Sequence, residues 1–240
     1  MASAKDSRAE PLRLQSLLPV SSSADKRKLP IYSVDTEKNQ IAISFDAAWG
    51  AEDFERIMEI LDKHQVKTTF FMTGNWVRDN PECVKQLVEK GHDLGNHSEH
   101  HYDMVKLSKK EMAEELQGVY DQVKELTGYE IDLFRPPYGS YDNTVIEVAE
   151  ENGYYPVQWS VDSLDWKDYG VDSIINTVCQ HKELKPGAII LCHNGAKYTA
   201  DALDQLLTGL ENQGYEIVPI SKLILRENYT MDVTGKQIPN

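Results

Sequence analysis

The sequence predicts an α/β fold: a distorted (β/α) barrel of about seven parallel strands in a single domain. Three observations carry this. From Ile41 onward, short apolar runs alternate with amphipathic stretches at helical spacing. The amphipathic stretches stop at a glycine followed by an aromatic or apolar run, the signature of a left-handed cap that launches the next strand. About seven such units fill about 190 residues, which suits a closed or nearly closed barrel better than an open sheet. A doubly wound sheet is the other arrangement these units allow.

Residues 1–38 read as a flexible arm or an added leader. Met1 to Lys28 carries Ser21-Ser22-Ser23, scattered charges and short apolar runs such as Leu17-Leu18-Pro19-Val20, with no continuous apolar core before a small-residue cleavage site. The domain follows over residues 39–226, and 227–240 read as a C-terminal tail. Strands are predicted at 40–45, 68–72, 131–134, 155–159, 188–191 and 216–218. Phe54, Ile57, Met58, Ile60 and Leu61 mark the apolar stripe of a first helix. Ser108-Lys109-Lys110-Glu111 has the form of a capping box and opens a helix running to about Leu126. Gly91, Gly128, Gly153 and Gly214 are the helix stops.

Composition narrows the function. With 25 Lys+Arg against 39 Asp+Glu the net charge is −14, so duplex nucleic acid would be repelled. No run reaches the roughly 18 apolar residues of a membrane span. Cys83, Cys179 and Cys192 are too few and too scattered for a disulfide framework or a zinc knuckle, and they fit a cytoplasmic or a Gram-positive surface location equally.

In an α/β fold of this kind, chemistry collects where strands end. Asp46 closes the first apolar strand, where it serves either as a tuned base or as a cap for the next helix. His97, His100 and His101 crowd five positions, a density typical of transition-metal sites. His97 and His101 share one ion if the loop between them curls into a helical turn; a solvated polar loop is the alternative, and His92 and His100 read as bystanders. Arg135-Pro136-Pro137-Tyr138-Gly139 makes a stiff loop whose amides are held before a substrate arrives, with Arg135 pairing a buried carboxylate or forming an ordinary ion pair. Asp162 and Asp165 beside Trp159 and Trp166 suggest a sugar-binding wall or plain rim packing. His193 ends a near-continuous apolar strand at the same mouth, which favours catalysis over a core hydrogen bond.

These five strand ends, in this order, resemble the polysaccharide deacetylases of the NodB-homology type, carbohydrate esterase family 4. Ser44-Phe45-Asp46 is similar to T-F-D-D, His97-Ser98-Glu99-His100-His101 to H-[ST]-x-x-H, and Arg135-Pro136-Pro137-Tyr138-Gly139 to R-P-P-Y-G. Asp162-Ser163-Leu164-Asp165-Trp166 is similar to D-x-x-D-W and Leu191-Cys192-His193 to L-x-H, so the likeness spans residues 41 to 224. The Phe-Asp-Ala-Ala-Trp-Gly variant resembles the sporulation and cell-wall branch of Firmicutes.

The resemblance implies a metal-dependent hydrolase removing N-acetyl groups from amino sugars of a cell-wall glycan, peptidoglycan or chitooligosaccharide-like. It implies a divalent metal, Zn2+ first and Co2+, Ni2+ or Mn2+ next, on His97 and His101. Asp46 would be the base and His193 the acid, with Arg135 orienting Asp46 and Asp165 raising the basicity of His193. The Tyr138 amide would hold the oxyanion, while Trp166, Leu191 and Pro137 would shape the substrate groove. It further implies an extracytoplasmic monomer at the cell surface, anchored through an N-terminal segment absent from this sequence. One position departs: Ala47 stands where the family has its metal-binding second aspartate. Two other readings follow, a catalytically weak or silent glycan-binding protein on the same fold, and a hydrolase of a small cyclic or formyl amide.

Overall fold

The computed structural model describes residues 27–240. In chain order the strands are β1 (Ser33–Val34), β2 (Gln40–Ala47), β3 (Thr69–Met72), β4 (Asp93–Asn96), β5 (Leu133–Phe134), β6 (Tyr155–Pro156), β7 (Val161–Asp162), β8 (Ile189–His193), β9 (Glu216–Ile217), β10 (Tyr229–Met231) and β11 (Lys236–Pro239). The helices are α1 (Phe54–Lys63), α2 (Gly74–Asp79), α3 (Pro81–Glu89), α4 (Lys109–Thr127), α5 (Asn143–Glu151), α6 (Val171–Cys179), α7 (Thr199–Asn212) and α8 (Ile220–Leu223).

The main sheet runs β6-β5-β4-β3-β2-β8-β7, and β9 pairs with the start of β2. Each of these pairings is parallel. Parallel neighbours need long crossovers, so helices cover the outside and every strand delivers its C-terminus to the same end. Curling brings the two edges round into a distorted (β/α) barrel. Residues 31–33 stitch the seam, with Ile31 bridging Val157 and Ser33 bridging Ala188.

β2 shows how the sequence builds a site on top of a core. Ile41, Ile43, Phe45 and Ala47 join the large apolar cluster containing Phe54, Ile57 and Leu61 of α1. The alternate residues face inward. Ala42 packs with Phe71, Leu133, Val157 and Ile189, and Ser44 and Asp46 follow it up the strand. The interior thus changes from apolar floor to polar mouth within four residues.

α4 begins at Ser108 with both halves of the capping box in place and ends at Gly128 in the left-handed region, φ 75°. Two stretches differ from expectation. β4 follows the Gly91 stop and ends just before His97 as a strand should, although Asp93-Leu94-Gly95-Asn96 is not an apolar run. It is nonetheless buried throughout, with Asp93 satisfied by Thr69 and Ser221. Residue 95 must be glycine here, since a Cβ would lie 2.4 Å from the Phe71 ring. Residues 227–240 are a packed hairpin rather than a tail: β10 and β11 pair antiparallel, and β11 pairs in parallel with β1. The buried Gln237 amide exchanges two 2.8 Å hydrogen bonds with the Leu225 backbone, which locks the hairpin to the barrel. Ile31 and Val34 are likewise core residues, so packing begins upstream of residue 39. Residues 1–26 of the expected arm lie outside the described residues.

Candidate active site

A cavity of about 610 Å³ opens at the C-terminal end of the strands. Asp46, His97, His101, Tyr138, Trp166, Leu191 and His193 line it, together with Ala48, Trp49, Gly139, Trp159 and Asp162. Arg135 and Asp165 are buried behind the lining, and Pro137, expected in the groove, is buried and does not line the cavity.

Asp46 is held by Arg135. Arg135 Nη1 donates to Asp46 Oδ1 at 2.7 Å and to Ser44 Oγ at 2.9 Å, and Nη2 donates to the Gln158 carbonyl at 3.2 Å. The guanidinium is fully buried, with its carbon 4.1 Å from the centroid of the Phe71 ring. Burial opposes ionisation of Asp46, but the Arg135 guanidinium, by its charge and its hydrogen bond, more than offsets it with help from the His193 charge, leaving the carboxyl below its ordinary value. Asp46 is therefore an anion at neutral pH, with Oδ2 facing the mouth side at His97.

His193 is built the same way from the other edge of β2. Its Nδ1 donates to Asp165 Oδ1 at 2.7 Å, while Asp165 Oδ2 accepts from the His193 backbone N–H at 2.7 Å and from Thr199 Oγ1 at 2.6 Å. Burial pulls the imidazole pKa down, yet the bond to Asp165 and its charge win, and the pKa rises above the ordinary 6.5. With Nδ1 engaged, Nε2 is the nitrogen left to exchange a proton.

The histidine side is arranged differently. His97 Nδ1 donates to the Arg135 carbonyl at 2.7 Å, which fixes the tautomer and leaves Nε2 a lone pair, 3.6 Å from Asp46 Oδ2. The loop to His101 is not a helical turn. It bends through left-handed Ser98 (φ 65°) and His101 (φ 59°), stabilised by His101 N–H to Ser98 Oγ at 2.9 Å. The two rings still meet, with centroids 4.9 Å apart. Burial lowers the pKa of both, that of His101 to about 4, so both imidazoles are neutral donors.

In kind this pair suits a transition metal; in number it does not complete a site. Ala47 offers no lone pair, is fully buried with the outward apolar row of β2, and does not line the cavity. Among the described residues no group of three His, Cys, Asp or Glu side chains is placed to hold a metal.

The Pro136-Pro137 turn puts Tyr138 in the left-handed region, φ 61°. Gly139 N–H donates to the Pro136 carbonyl and Ser140 N–H to the Pro137 carbonyl; the Tyr138 N–H takes part in neither bond. Trp49 completes the mouth, its ring stacked on His193 (centroids 6.4 Å) and edge-on to His101 (5.8 Å). Its loop is pinned at the Gly50 carbonyl, which accepts from Trp76 Nε1 and Asn194 Nδ2. Sequence reasoning gave no role to Trp49, Ser44 or Thr199. Trp49 was open to view, as a tryptophan three residues past Asp46, whereas Thr199 is an ordinary residue at the start of a distant helix.

A family model described as polysaccharide deacetylase matches residues 33–157. The chain is 37% identical over 195 residues to the uncharacterized protein YlxY of Bacillus subtilis (strain 168), covering 81% of this chain and 60% of that protein. It is 34% identical over 204 residues to the peptidoglycan-N-acetylmuramic acid deacetylase PdaA of the same organism, covering 82% of this chain and 75% of that one. Among solved structures, wild-type BA3943, described as a CE4 family pseudoenzyme from Bacillus anthracis, superposes with a TM-score of 0.77 at 36% identity, covering 81% of this chain and 68% of that chain. A BA3943 mutant described as having restored enzymatic activity superposes equally, with a TM-score of 0.77 at 37% identity over 81% and 71% of the two chains.

Proposed function

The chain belongs to the polysaccharide deacetylase family, and from that premise we propose that it hydrolyses the N-acetyl group of amino sugars in a cell-wall glycan. One observation carries the reading: an ionised carboxylate and an imidazole face one cavity, each fixed by its own buried partner. Asp46 accepts a proton from water as the water oxygen attacks the acetamide carbon. The Tyr138 N–H is the donor for the oxyanion, preset by its turn. His193 Nε2 then protonates the sugar nitrogen as the C–N bond breaks, giving acetate and a free amine. Trp49, Trp166 and Leu191 enclose the acetyl group and the sugar ring.

A divalent metal, zinc first, would be held by His97 and His101 and would add Lewis acidity. Two protein nitrogens would hold it weakly. The same shortfall favours a second reading, a glycan-binding protein with little or no turnover, and the likeness to a pseudoenzyme supports it. Either way the working place is extracytoplasmic, at the wall; among the described residues no helix is long and apolar enough to cross a membrane.

Incubation with acetylated chitooligosaccharides and with peptidoglycan, zinc and cobalt added separately, tests both readings. Acetate release supports the hydrolase. Binding without release supports the silent binder. The absence of both release and binding points to a small cyclic or formyl amide.

A further inference from the structure

The main sheet ends at β6 on one side and β7 on the other, and residues 30–34 lie across that seam. They are fixed along their length. Ile31 N–H donates to the Pro156 carbonyl at 2.8 Å, and the Ile31 carbonyl accepts from Gln158 N–H at 2.7 Å. Tyr32 N–H donates to the Gly235 carbonyl at 2.8 Å and Val34 N–H to the Gly187 carbonyl at 3.0 Å. Ile31 and Val34 are buried. Two glycines make room for the segment. A Cβ at residue 187 would lie 1.7 Å from the Val34 carbonyl oxygen. One at residue 235 would lie 2.4 Å from the Tyr32 ring and 2.8 Å from the Pro30 carbonyl oxygen.

The segment reaches two parts of the site from behind. Gln158, whose N–H it accepts, gives its own carbonyl to Arg135 Nη2 at 3.2 Å, and Arg135 Nη1 holds Asp46 at 2.7 Å. The Tyr32 hydroxyl shares a 3.1 Å hydrogen bond with that of Tyr141, which leads out of the turn carrying Tyr138. We propose that residues 30–34 are a positioning strap for the reaction: they set Arg135, and so the base Asp46, through Gln158, and the Tyr138 turn through Tyr141. The inference rests on the hydrolase reading of the mouth. A guanidinium bonded to Ser44, Asp46 and Gln158 has one orientation, and losing the Gln158 anchor lets it turn. A misplacement of about 1 Å, even one caused far from the chemistry, can lower a rate by about 10²-fold. None of residues 30–34 lines the cavity, so the effect falls on turnover rather than on substrate binding.

Steady-state kinetics and proton exchange on three versions of the full chain, wild type, Gly235→Ala and Gly214→Ala, decide the matter. The two glycines sit at nearly the same positive φ, 82° and 85°, so both variants carry similar backbone strain. They differ in what the new Cβ meets: at residue 214 only the Asn39 side chain, at 3.6 Å, and at residue 235 the strap. On an acetylated chitooligosaccharide that the wild type cleaves, Gly235→Ala is expected to lose roughly tenfold in kcat with KM within about twofold. Gly214→Ala should stay within about twofold of the wild type in both. By NMR, the Gln158 amide and the Arg135 guanidinium protons should exchange faster in Gly235→Ala, while the β3 amides keep their wild-type rates. Faster exchange with unchanged kcat would reduce the strap to scaffolding and overturn the proposal, as would wild-type exchange in the folded variant. If Gly235→Ala does not fold by circular dichroism, Tyr32→Phe makes the comparison by deleting only the hydroxyl bond to Tyr141. A kcat loss of roughly threefold is then expected, within the worth of one hydrogen bond, and full turnover overturns the proposal. A wild type that releases no acetate removes the hydrolase reading instead, and the exchange at Arg135 then decides the strap on its own.

Discussion

On the β8 side of the mouth each titratable group has a buried partner, His193 with Asp165 and Asp46 with Arg135, whereas on the β4 side the rings of His97 and His101 meet and, among the described residues, no third His, Cys, Asp or Glu side chain completes a metal site with them. The first region has the acid and the base that the proposed reaction needs. The second is preset, with its tautomer fixed and its rings neutral, but short of one donor. On the proposed reading the two tasks of such a site are separable, since Asp46 and His193 are each held by a hydrogen bond of their own, to Arg135 and Asp165.

The largest effect belongs to the groups that carry the proton. Asp46→Asn and His193→Ala are each expected to lower acetate release by roughly 10²–10⁴-fold, the usual contribution of a positioned acid or base. Asp46→Asn should also lower the melting temperature, because it leaves the fully buried Arg135 cation without its anion, so the loss of turnover is read on protein shown to be folded. Near-full turnover in either variant on a substrate the wild type cleaves would remove that residue from the mechanism.

Next comes Arg135→Leu, which leaves the Asp46 charge buried without its partner. Breaking a buried pair from one side costs about 3–5 kcal/mol, more than burying one aliphatic side chain returns, so denaturant unfolding should shift clearly. Whatever turnover survives should require higher pH. Burial then acts on Asp46 with less opposition, its pKa rises, and the base is ionised later in a titration. An unchanged acid limb would show that Arg135 is a strut and not a tuner.

The pH profile tests the other pair. Asp165 lifts the His193 pKa above 6.5, so the acid stays protonated over a wider range and activity falls as pH rises through that raised value. Asp165→Asn removes the charge, the pKa drops, and the alkaline limb moves to lower pH. No movement of that limb would mean that another group sets it.

These groups were readable from sequence for a physical reason: parallel strands joined by outside helices must present their C-termini together, so polar residues closing apolar runs at Asp46, Arg135 and His193 fall into one mouth. What sequence concealed was position that arises only from packing. β4 is a strand because its neighbours satisfy Asp93 and accept a glycine against Phe71, not because its residues favour extension. The His97–His101 turn bends through two left-handed non-glycine residues, which local propensity disfavours and which Ser98 Oγ helps to hold. The 229–239 hairpin was masked by its polar residues, Gln237 among them, whose partner is twelve positions away.

The smallest and most specific prediction concerns Ala47→Asp. Residue 47 ends β2, fully buried beside Phe45 and Met72 in the outer apolar cluster. A carboxylate there without a partner is costly, so the metal-free variant should melt below the wild type. A dication shared between the new carboxylate and the two imidazoles would relieve that cost if the last residue of β2 turns from the outward row toward the mouth, and by linkage any ligand that binds the native state more tightly raises stability more. The variant should therefore bind zinc more tightly in calorimetry and show a larger zinc-dependent rise in melting temperature, even if it never overtakes the wild type. The two readouts guard each other, because a destabilised but zinc-indifferent protein would satisfy the first expectation and fail the second. In that event residue 47 points away from the histidines, as the alternation along β2 would have it, and restoring the metal side would require moving the end of the strand as well as changing its last residue.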